Sequence, residues 1–377
     1  MPTYVLVSGD FVKTGGMDRA NHALAAYLAG RGDEVHIVAH RVAPDLLAMP
    51  NVTLHRAAKP LNSYFLSAPF LDRLGRRVAR EQSARGARVI VNGGNCDWPD
   101  VNWIHHVHGA DAPITGGSPL RRAKTRLAYR LHVAEERRVV PRARVAIATC
   151  ERTRADAIAK IGCDPSRVHV AYLGVDAETF RPPEDGEREA IRARLGWPAD
   201  RPKVAFVGAL ADRRKGFDRL FAAWSELCRS PDWDADLMVV GRGAEVPAWK
   251  ARAEAGGLSA RIQFLGFVPD LAAFYRAVDA HCLPSRYEGY SLVTQEALAC
   301  GTPAFITRAS GISERYPESL RDLLIDDPED VADLVRRLRD WRGRMAEYRA
   351  AVAPLTALLR ADTWDVMAAR MAELAEG

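Results

Sequence analysis

A chain of 377 residues with 48% hydrophobic and 27% charged side chains has material for two ordinary cores and too much apolar content for a disordered polymer. A formal charge of +5 over that length excludes a dedicated nucleic-acid binder, and no apolar run reaches the ~18 residues that a membrane-spanning helix needs. The six cysteines stand singly, outside any C-x-x-C pair or zinc-finger spacing, which predicts reduced, packed thiols in a cytoplasmic protein.

The N-terminal MPTYVLVSGD lacks a basic region, and its apolar run is too short for a signal peptide. Within it, YVLVSGD (4–10) predicts a buried strand. MDRANHALAAYLAGRG (17–32) follows as a helix with Ala20, Leu24, Tyr27 and Leu28 on one face and Gly30 or Gly32 at its end. EVHIVAH (34–40) is the next strand. Strand, helix and strand in about 35 residues make a βαβ unit, hence a parallel sheet with a right-handed crossover. Loops 40–80 and 109–120 show no interpretable motif. Further strands are predicted at RVIVN (88–92), VNWIHHVH (101–108), RVAIAT (144–149) and RVHVAYLG (167–174).

Between them, residues 120–142 hold eight Lys or Arg against two Glu. A solvated helix packed on its domain is the first reading. With Leu127, Leu131 and Val133 interleaved, peripheral contact with the inner face of a membrane is the second. Prolines and charges interrupt the rhythm at 176–202. A second series of strands then runs KVAFVGA (203–209), DLMVVGRG (236–243), IQFLGF (262–267), AHCLPS (280–285) and PAFIT (303–307). TWDVMAARMAELAEG (363–377) closes the chain as an amphipathic helix with Trp364, Met367, Met371 and Leu374 as its apolar stripe. Two doubly wound α/β domains follow from this order. Ligands in open α/β sheets bind beyond the strand C-termini, so a cleft faced by both domains is the expected site.

Four stretches carry residues suited to chemistry there. SGDFVKTGGMDRAN (8–21) places Gly15 and Gly16 in a strand-to-helix loop, where free amides and the helix dipole favour an anion, although the spacing is not G-x-G-x-x-G. GALADRRKGFDRL (208–220) sets Arg213, Arg214 and Lys215 between a strand end and a helix, a fork and a point charge suited to a diphosphate. SRYEGYSLVTQEALACGTP (285–303) holds two glutamates around an apolar run. Gly289 permits close backbone approach, with Glu288 in the loop and Glu296 about one and a half turns into a helix over YSLVTQEALAC. A sugar nucleotide has the length to touch both, although a surface position for Glu296 is an equal reading of that residue alone. NWIHHVHGAD (102–111) ends a strand with His105, His106 and His108, residues able to orient an acceptor or a sugar. No carboxylate or cysteine stands at a spacing that would complete a zinc site with them.

EGYSLVTQEALACGTP resembles the E-x7-E signature of retaining glycosyltransferases of family 4. GGMDRANHALAAYLAGRGDEVHIV is similar to that family's N-terminal glycine loop and first helix. TCERTRADAIAKIGCDPSRVHVAYLGVDAETFRP resembles its interdomain segment, and RRKGFDRLFAAW with FLGFVPDLAAFYRAVDAHCLPSRYEG its nucleotide domain, all in the right order. The resemblance implies an α/β GT-B fold: two Rossmann-like doubly wound domains facing a cleft, the last helix crossing back to the N-terminal domain. The domains would be 1–180 plus 355–377, binding the acceptor, and 181–354, binding the donor.

It also implies transfer of a sugar from a nucleoside diphosphate, UDP ahead of GDP, to a hydroxyl of a carbohydrate, lipid-linked or small-molecule acceptor. The anomeric configuration would be retained without a metal or other cofactor. Carried over position by position, Arg214 and Lys215, with Arg213 beside them and Gly208 below, would bind the diphosphate. Glu288 with the amides of Gly289, Tyr290, Ser291 and Leu292 would bind the sugar, and Glu296 the ribose. Phe267 and Val268 lie where the base is contacted, and Gly15 and Gly16 under the phosphates. His108 matches the family histidine, with His106 as runner-up and Asn95, His105 and His106 on the acceptor side. Four positions depart from the pattern: Ala209 replaces an arginine, Ser291 a glycine, and Tyr172-Leu173 the usual Pro-Asn. A GT-B epimerase and a non-catalytic sugar-nucleotide-binding protein are the rival readings. Product analysis without acceptor would identify the first, and the intact set of Glu288, Glu296, Arg214 and Lys215 speaks against the second.

Overall fold

A computed structural model describes residues 1–111, 119–210 and 213–377, with 119–121 described for the backbone alone. Part of the 109–120 loop and the pair Ala211-Asp212 thus lie outside the described residues. The short apolar runs form strands because β-branched and small residues buried on both faces suit parallel sheets covered by helices.

In the first sheet the strands are β1 (Thr3–Val7), β2 (Glu34–Ala39), β3 (Val52–Arg56), β4 (Arg88–Asn92), β5 (Val101–Ile104), β6 (Val145–Ala148) and β7 (Val168–Val170). They lie in the order β3-β2-β1-β4-β5-β6-β7, every pair parallel. The second sheet has β8 (Lys203–Val207), β9 (Asp236–Val240), β10 (Ile262–Gly266), β11 (Ala280–Leu283), β12 (Ala304–Thr307) and β13 (Leu324–Ile325). Its order is β10-β9-β8-β11-β12-β13, again parallel throughout. Both have the doubly wound arrangement, in which the chain leaves the first strand toward one edge and later returns to build the other.

Among the described residues the chain divides into two units. The first runs to Gly174 and includes Asp362–Gly377; the second is Val175–Ala361. The expected breaks at 180/181 and 354/355 compare with 174/175 and 361/362. Val175 and Phe180 already pack into the core of the second unit, and the Thr356 hydroxyl donates to the carbonyl of Leu298 at 2.7 Å.

Helix α1 (Gly16–Gly30) buries Ala20, Leu24 and Leu28 as the pattern predicts. The last helix, Trp364–Glu376, belongs to the first unit, as expected. It buries Met367 and Met371, and its Glu376 takes hydrogen bonds from the Tyr4 hydroxyl and, at 2.8 Å, from Arg31.

Several expectations change. Loop 40–80 contains edge strand β3 and α2 (Tyr64–Ser83), a 20-residue helix with Pro69 inside it. The predicted strand 101–108 stops at Ile104, before the histidines, and 167–174 pairs only over Val168–Val170. The basic segment forms α3 (Pro119–Val139). No helix among the described residues is long and apolar enough to cross a membrane.

Candidate functional site

In the second unit β8 and β11 are neighbours whose onward connections go to opposite sides of the sheet, so their C-terminal ends open a crevice. Gly208 follows β8, and Arg213–Lys215 form a short 3-10 turn before α4 (Phe217–Leu227). Gly216 makes the approach possible. It has φ +71°, and a Cβ there would sit 1.8 Å from the carbonyl oxygen of Pro284, in the segment leaving β11. The two segments are then stitched by the Arg286 amide donating to the Arg214 carbonyl at 2.7 Å. A bidentate Arg286–Asp218 pair, 2.9 Å on both arms, adds to this.

The side chains close around Glu288. Arg214 Nη1 donates to Glu288 Oε1 at 2.9 Å and to the Tyr287 carbonyl at 3.0 Å. Lys215 Nζ lies 2.6 Å from the same oxygen, and the Ser285 hydroxyl donates to it at 3.3 Å. The backbone of Glu288 is held too: its amide donates to Ala309 and its carbonyl accepts from Gly311. Burial pushes the Glu288 carboxyl up, but Lys215 and Arg214 outweigh it and hold the group below the usual carboxylate range. The two cations read from sequence as diphosphate ligands therefore already grip an internal anion, a pairing that sequence reasoning missed because its members lie over 70 residues apart. Arg213 joins through its backbone, its carbonyl accepting from Gly216 and Arg286, while its side chain is exposed.

Helix α5 (Leu292–Ala299) starts two residues later than the pattern suggested, because Ser291 sits at φ +92° as its N-cap. Glycine tolerates that conformation and serine does so only under strain. The Ser291 hydroxyl lies 2.9 Å from that of Thr294. Gly289, Tyr290, Ser291 and Leu292 are buried in this turn. Glu296, on α5, is 2% exposed, which removes the surface reading of that residue. Beyond β10, Phe267 is exposed beneath the Arg242 guanidinium, 5.3 Å from the ring centroid, whereas Val268 packs on the core.

The first unit has its own switch point, between β1 and β4. Gly15, φ +85°, caps α1, and Gly16 is its first residue. An acidic corner that sequence reasoning passed over stands beside this loop. Asp10, 1% exposed, pairs with Arg41 and accepts from the Tyr64 hydroxyl. Burial and the neighbouring Asp10 push the Asp18 carboxyl up to about 6. The one signal for this corner was an aspartate closing the first strand.

At the ends of β4 and β5, Asn95 lies in the Gly93–Asn95 turn, whose Gly94 sits against α3 at Glu135. His105 packs on Trp103, and burial drives its pKa down to about 3, so it is a neutral ring near pH 7. His106 Nε2 lies 3.6 Å from Asp111, and its ring stands edge-on to His108 at 5.0 Å. His108 is bound at Nδ1 by Glu136 of α3, 2.5 Å away. The C-terminal half of α3 is thus part of the first unit's fabric, while Leu127 and Leu131 are exposed among Arg122, Lys124, Arg126 and Arg130.

Comparison with known proteins bears on both units. Residues 14–179 match the model of Glycosyltransferase Family 4, and residues 201–340 that of Glycosyl transferases group 1. The chain is 33% identical over 253 residues to the D-inositol 3-phosphate glycosyltransferase of Xylanimonas cellulosilytica, covering 64% of this chain and 59% of that one. It is 31% identical over 261 residues to that of Corynebacterium jeikeium, covering 66% and 61%. The chain therefore spans little more than half the length of the curated relatives it matches. Among solved structures, sucrose-phosphate synthase from Thermosynechococcus elongatus superposes with TM-score 0.80 at 21% identity, covering 100% of this chain and 98% of that one. WaaG, a glycosyltransferase involved in lipopolysaccharide biosynthesis, gives 0.79 at 20% identity with both chains fully covered.

Proposed function

The chain belongs to glycosyltransferase family 4 and has the GT-B fold, and from that premise we propose that it moves a sugar from a nucleoside diphosphate to an acceptor hydroxyl with retention at the anomeric carbon. The observation that carries this reading is the convergence of Arg214 and Lys215 on Glu288 Oε1, 2.9 and 2.6 Å away, at the switch point of the second sheet. Breaking the bond from the anomeric carbon to the phosphate oxygen leaves its electron pair on the diphosphate. Arg214, Lys215 and the amides at the start of α5 stabilise that charge as fixed dipoles and cations, with no metal required. The acceptor oxygen attacks on the same face, and its proton passes to the departing phosphate oxygen. Glu288 and Gly289–Leu292 bind the transferred sugar, Glu296 the ribose, and Phe267 with Val268 the base. On the first unit, Gly15 and Gly16 lie under the phosphates, while His108, His106 and Asn95 serve the acceptor side.

UDP is the first donor base to test; a HepE structure from Anabaena with UDP and glucose, 19% identical and TM-score 0.71, has the same fold over 100% of both chains. Curated relatives are named for D-inositol 3-phosphate, so a phosphorylated polyol is the first acceptor class, ahead of other carbohydrate and lipid-linked hydroxyls. The singly placed, mostly buried free thiols suit a cytoplasmic chain. The exposed Leu127 and Leu131 amid basic residues keep peripheral membrane contact as a secondary reading of α3.

Thermal unfolding with millimolar UDP, GDP, ADP or NAD, with and without magnesium, tests the donor assignment. A ligand at 100 times its Kd stabilises the folded state by about 2.7 kcal/mol. A shift with one nucleoside diphosphate regardless of magnesium is expected. A shift with NAD alone would overturn the reading.

A further inference from the structure

His108 and Glu136 come from different elements of the first unit, the turn after β5 and the last full turn of α3. Glu136 is 4% exposed, and both its carboxylate oxygens face His108: Oε2 accepts the backbone amide at 3.0 Å, and Oε1 lies 2.5 Å from Nδ1. An ionised carboxylate only accepts, so Nδ1 must carry a proton. In the neutral ring the lone pair then resides on Nε2, on a side chain that is 39% exposed. An unconstrained imidazole favours the opposite tautomer, with the proton on Nε2.

The remaining neighbours are compatible with a neutral, fixed ring. His132, one turn before Glu136 on α3, stacks on His108 with centroids 4.9 Å apart and planes at 25°. Burial and then His108 lower the pKa of His132, so it adds no fixed positive charge near pH 7. His106 with Asp111 forms the other wall. Lys160 lies against Gly109, and Arg137 is turned to the Lys160 carbonyl. Glu136 is thus the anion in direct contact with the ring, among the described residues.

We propose that Glu136 is a positioning residue for the transfer reaction: it locks His108 as the Nδ1–H tautomer and presents Nε2 as a hydrogen-bond acceptor for a substrate hydroxyl. This rests on the reading of His108 as a substrate-contacting residue. It also gives the basic helix a function unrelated to its exposed charges, since the helix delivers one buried carboxylate to the end of β5.

Glu136→Gln tests it. Glutamine offers one accepting oxygen where two are needed. The backbone amide of His108 cannot surrender its proton, so the oxygen goes to that amide and the glutamine NH2 faces Nδ1. The ring must then move its proton to Nε2. Nitrogen-detected histidine NMR on the full chain at pH 9 should show Nδ1–H for His108 in the wild type and Nε2–H in the variant. UDP release from UDP-glucose should fall about 10- to 100-fold in kcat/KM, as losing a partner that orients a functional histidine typically does. UDP affinity, carried by the second unit, should stay unchanged, and a wild-type near-UV circular dichroism spectrum with cooperative unfolding shows that the first unit of the variant folds. His108→Ala should lose at least as much activity.

A wild-type Nε2–H signal, or Nδ1–H persisting in the variant, would overturn the proposal. So would an inverted tautomer with wild-type kcat/KM. Should the variant fail to fold, the wild-type tautomer alone still decides. That readout needs no substrate, so absence of any nucleotide-induced thermal shift beside an intact Nδ1–H signal would sink the donor reading, and with it the role in transfer, while leaving the tautomer lock itself standing.

Discussion

Glu288→Gln is the most informative single change in the second unit, because it removes one negative charge and almost no volume. In the wild type Arg214 and Lys215 share Glu288 Oε1 at 2.9 and 2.6 Å. Removing one member of a buried ion pair costs about 3–5 kcal/mol by leaving charge unpaired. Here the cations keep some contact with water, 27% and 14% of their side-chain surface, which screens the loss. About 2 kcal/mol is the reasonable expectation, or some 4–8 °C in the unfolding of a unit of this size. The penalty should vanish in acid. The folded Glu288 carboxyl titrates below its ordinary value of 4.5, so its contribution is present above that pH and disappears as the pH falls through the folded value.

Nucleotide binding should move the other way. A diphosphate on Arg214 and Lys215 must tolerate the Glu288 charge. At about 5 Å and an effective dielectric of 20 two unit charges repel by about 3 kcal/mol, an upper bound once salt screens them. Glu288→Gln should therefore tighten UDP about tenfold, or about 1.4 kcal/mol, while UDP-glucose turnover drops because the sugar loses its carboxylate partner. Calorimetric titration with UDP, alongside steady-state turnover, reads both. Unchanged or weaker UDP binding in a folded variant would show that the diphosphate does not use these cations.

Three further changes follow from the geometry. Gly216→Ala forces a methyl to within 1.8 Å of the Pro284 carbonyl at φ +71°; a loss of about 3 kcal/mol, read by chemical denaturation, and weakened UDP binding are expected. Ser291→Gly should raise stability by about 1 kcal/mol, the relief of a φ of +92° less the extra freedom of glycine in the unfolded chain, and a clear loss would mean that the hydroxyl contact to Thr294 outweighs the strain. Asp18→Asn should stabilise the first unit by about 1–2 kcal/mol above pH 6 and leave it unchanged below pH 4, because a carboxyl raised from 3.8 to about 6 is relatively favourable in acid and loses that advantage as it ionises. Urea unfolding at pH 4 and pH 8 separates the two, and equal effects at both would refute the titration argument.

The strands were legible because buried parallel strands are short and almost wholly apolar, as in YVLV and AHCL, where one hydrophobic run means one strand. What was not legible fails that rule. Strand β3 is an edge with exposed Thr53 and Arg56 and a half-buried His55. Helix α2 leaves Tyr64, Phe65, Leu66 and Phe70 each about half exposed and carries Pro69 within its first turns, so neither its periodicity nor its composition announces a helix. The breaks between the units could not be read from composition at all, since nothing in the pattern shows that Val175, directly after Gly174, already enters the second unit's core.

The same division runs through the candidate sites. Motifs show which residue types are present near a ligand, because loops at strand ends keep their members within a few positions of one another. They do not show which of those residues are already satisfied by one another. Arg214, Lys215 and Glu288 read separately as three ligand contacts, yet folded together the carboxylate offsets one of the two positive charges, so a diphosphate bound there as proposed would compete with an anion already in place. Residue type alone did not separate His105, His106 and His108, and only the family resemblance put His108 ahead of His106. The fold distinguishes them by a buried, neutral ring at His105 and a carboxylate 28 positions away at His108. A trace of this was present in the sequence: residues 120–142 hold only two acids among eight bases, and one of them is Glu136. A buried charge inside a solvated-looking run is worth suspecting wherever its neighbours at i−4 and i+3 are apolar or aromatic, here His132 and Val139, because that face of the helix has no water to spare for it.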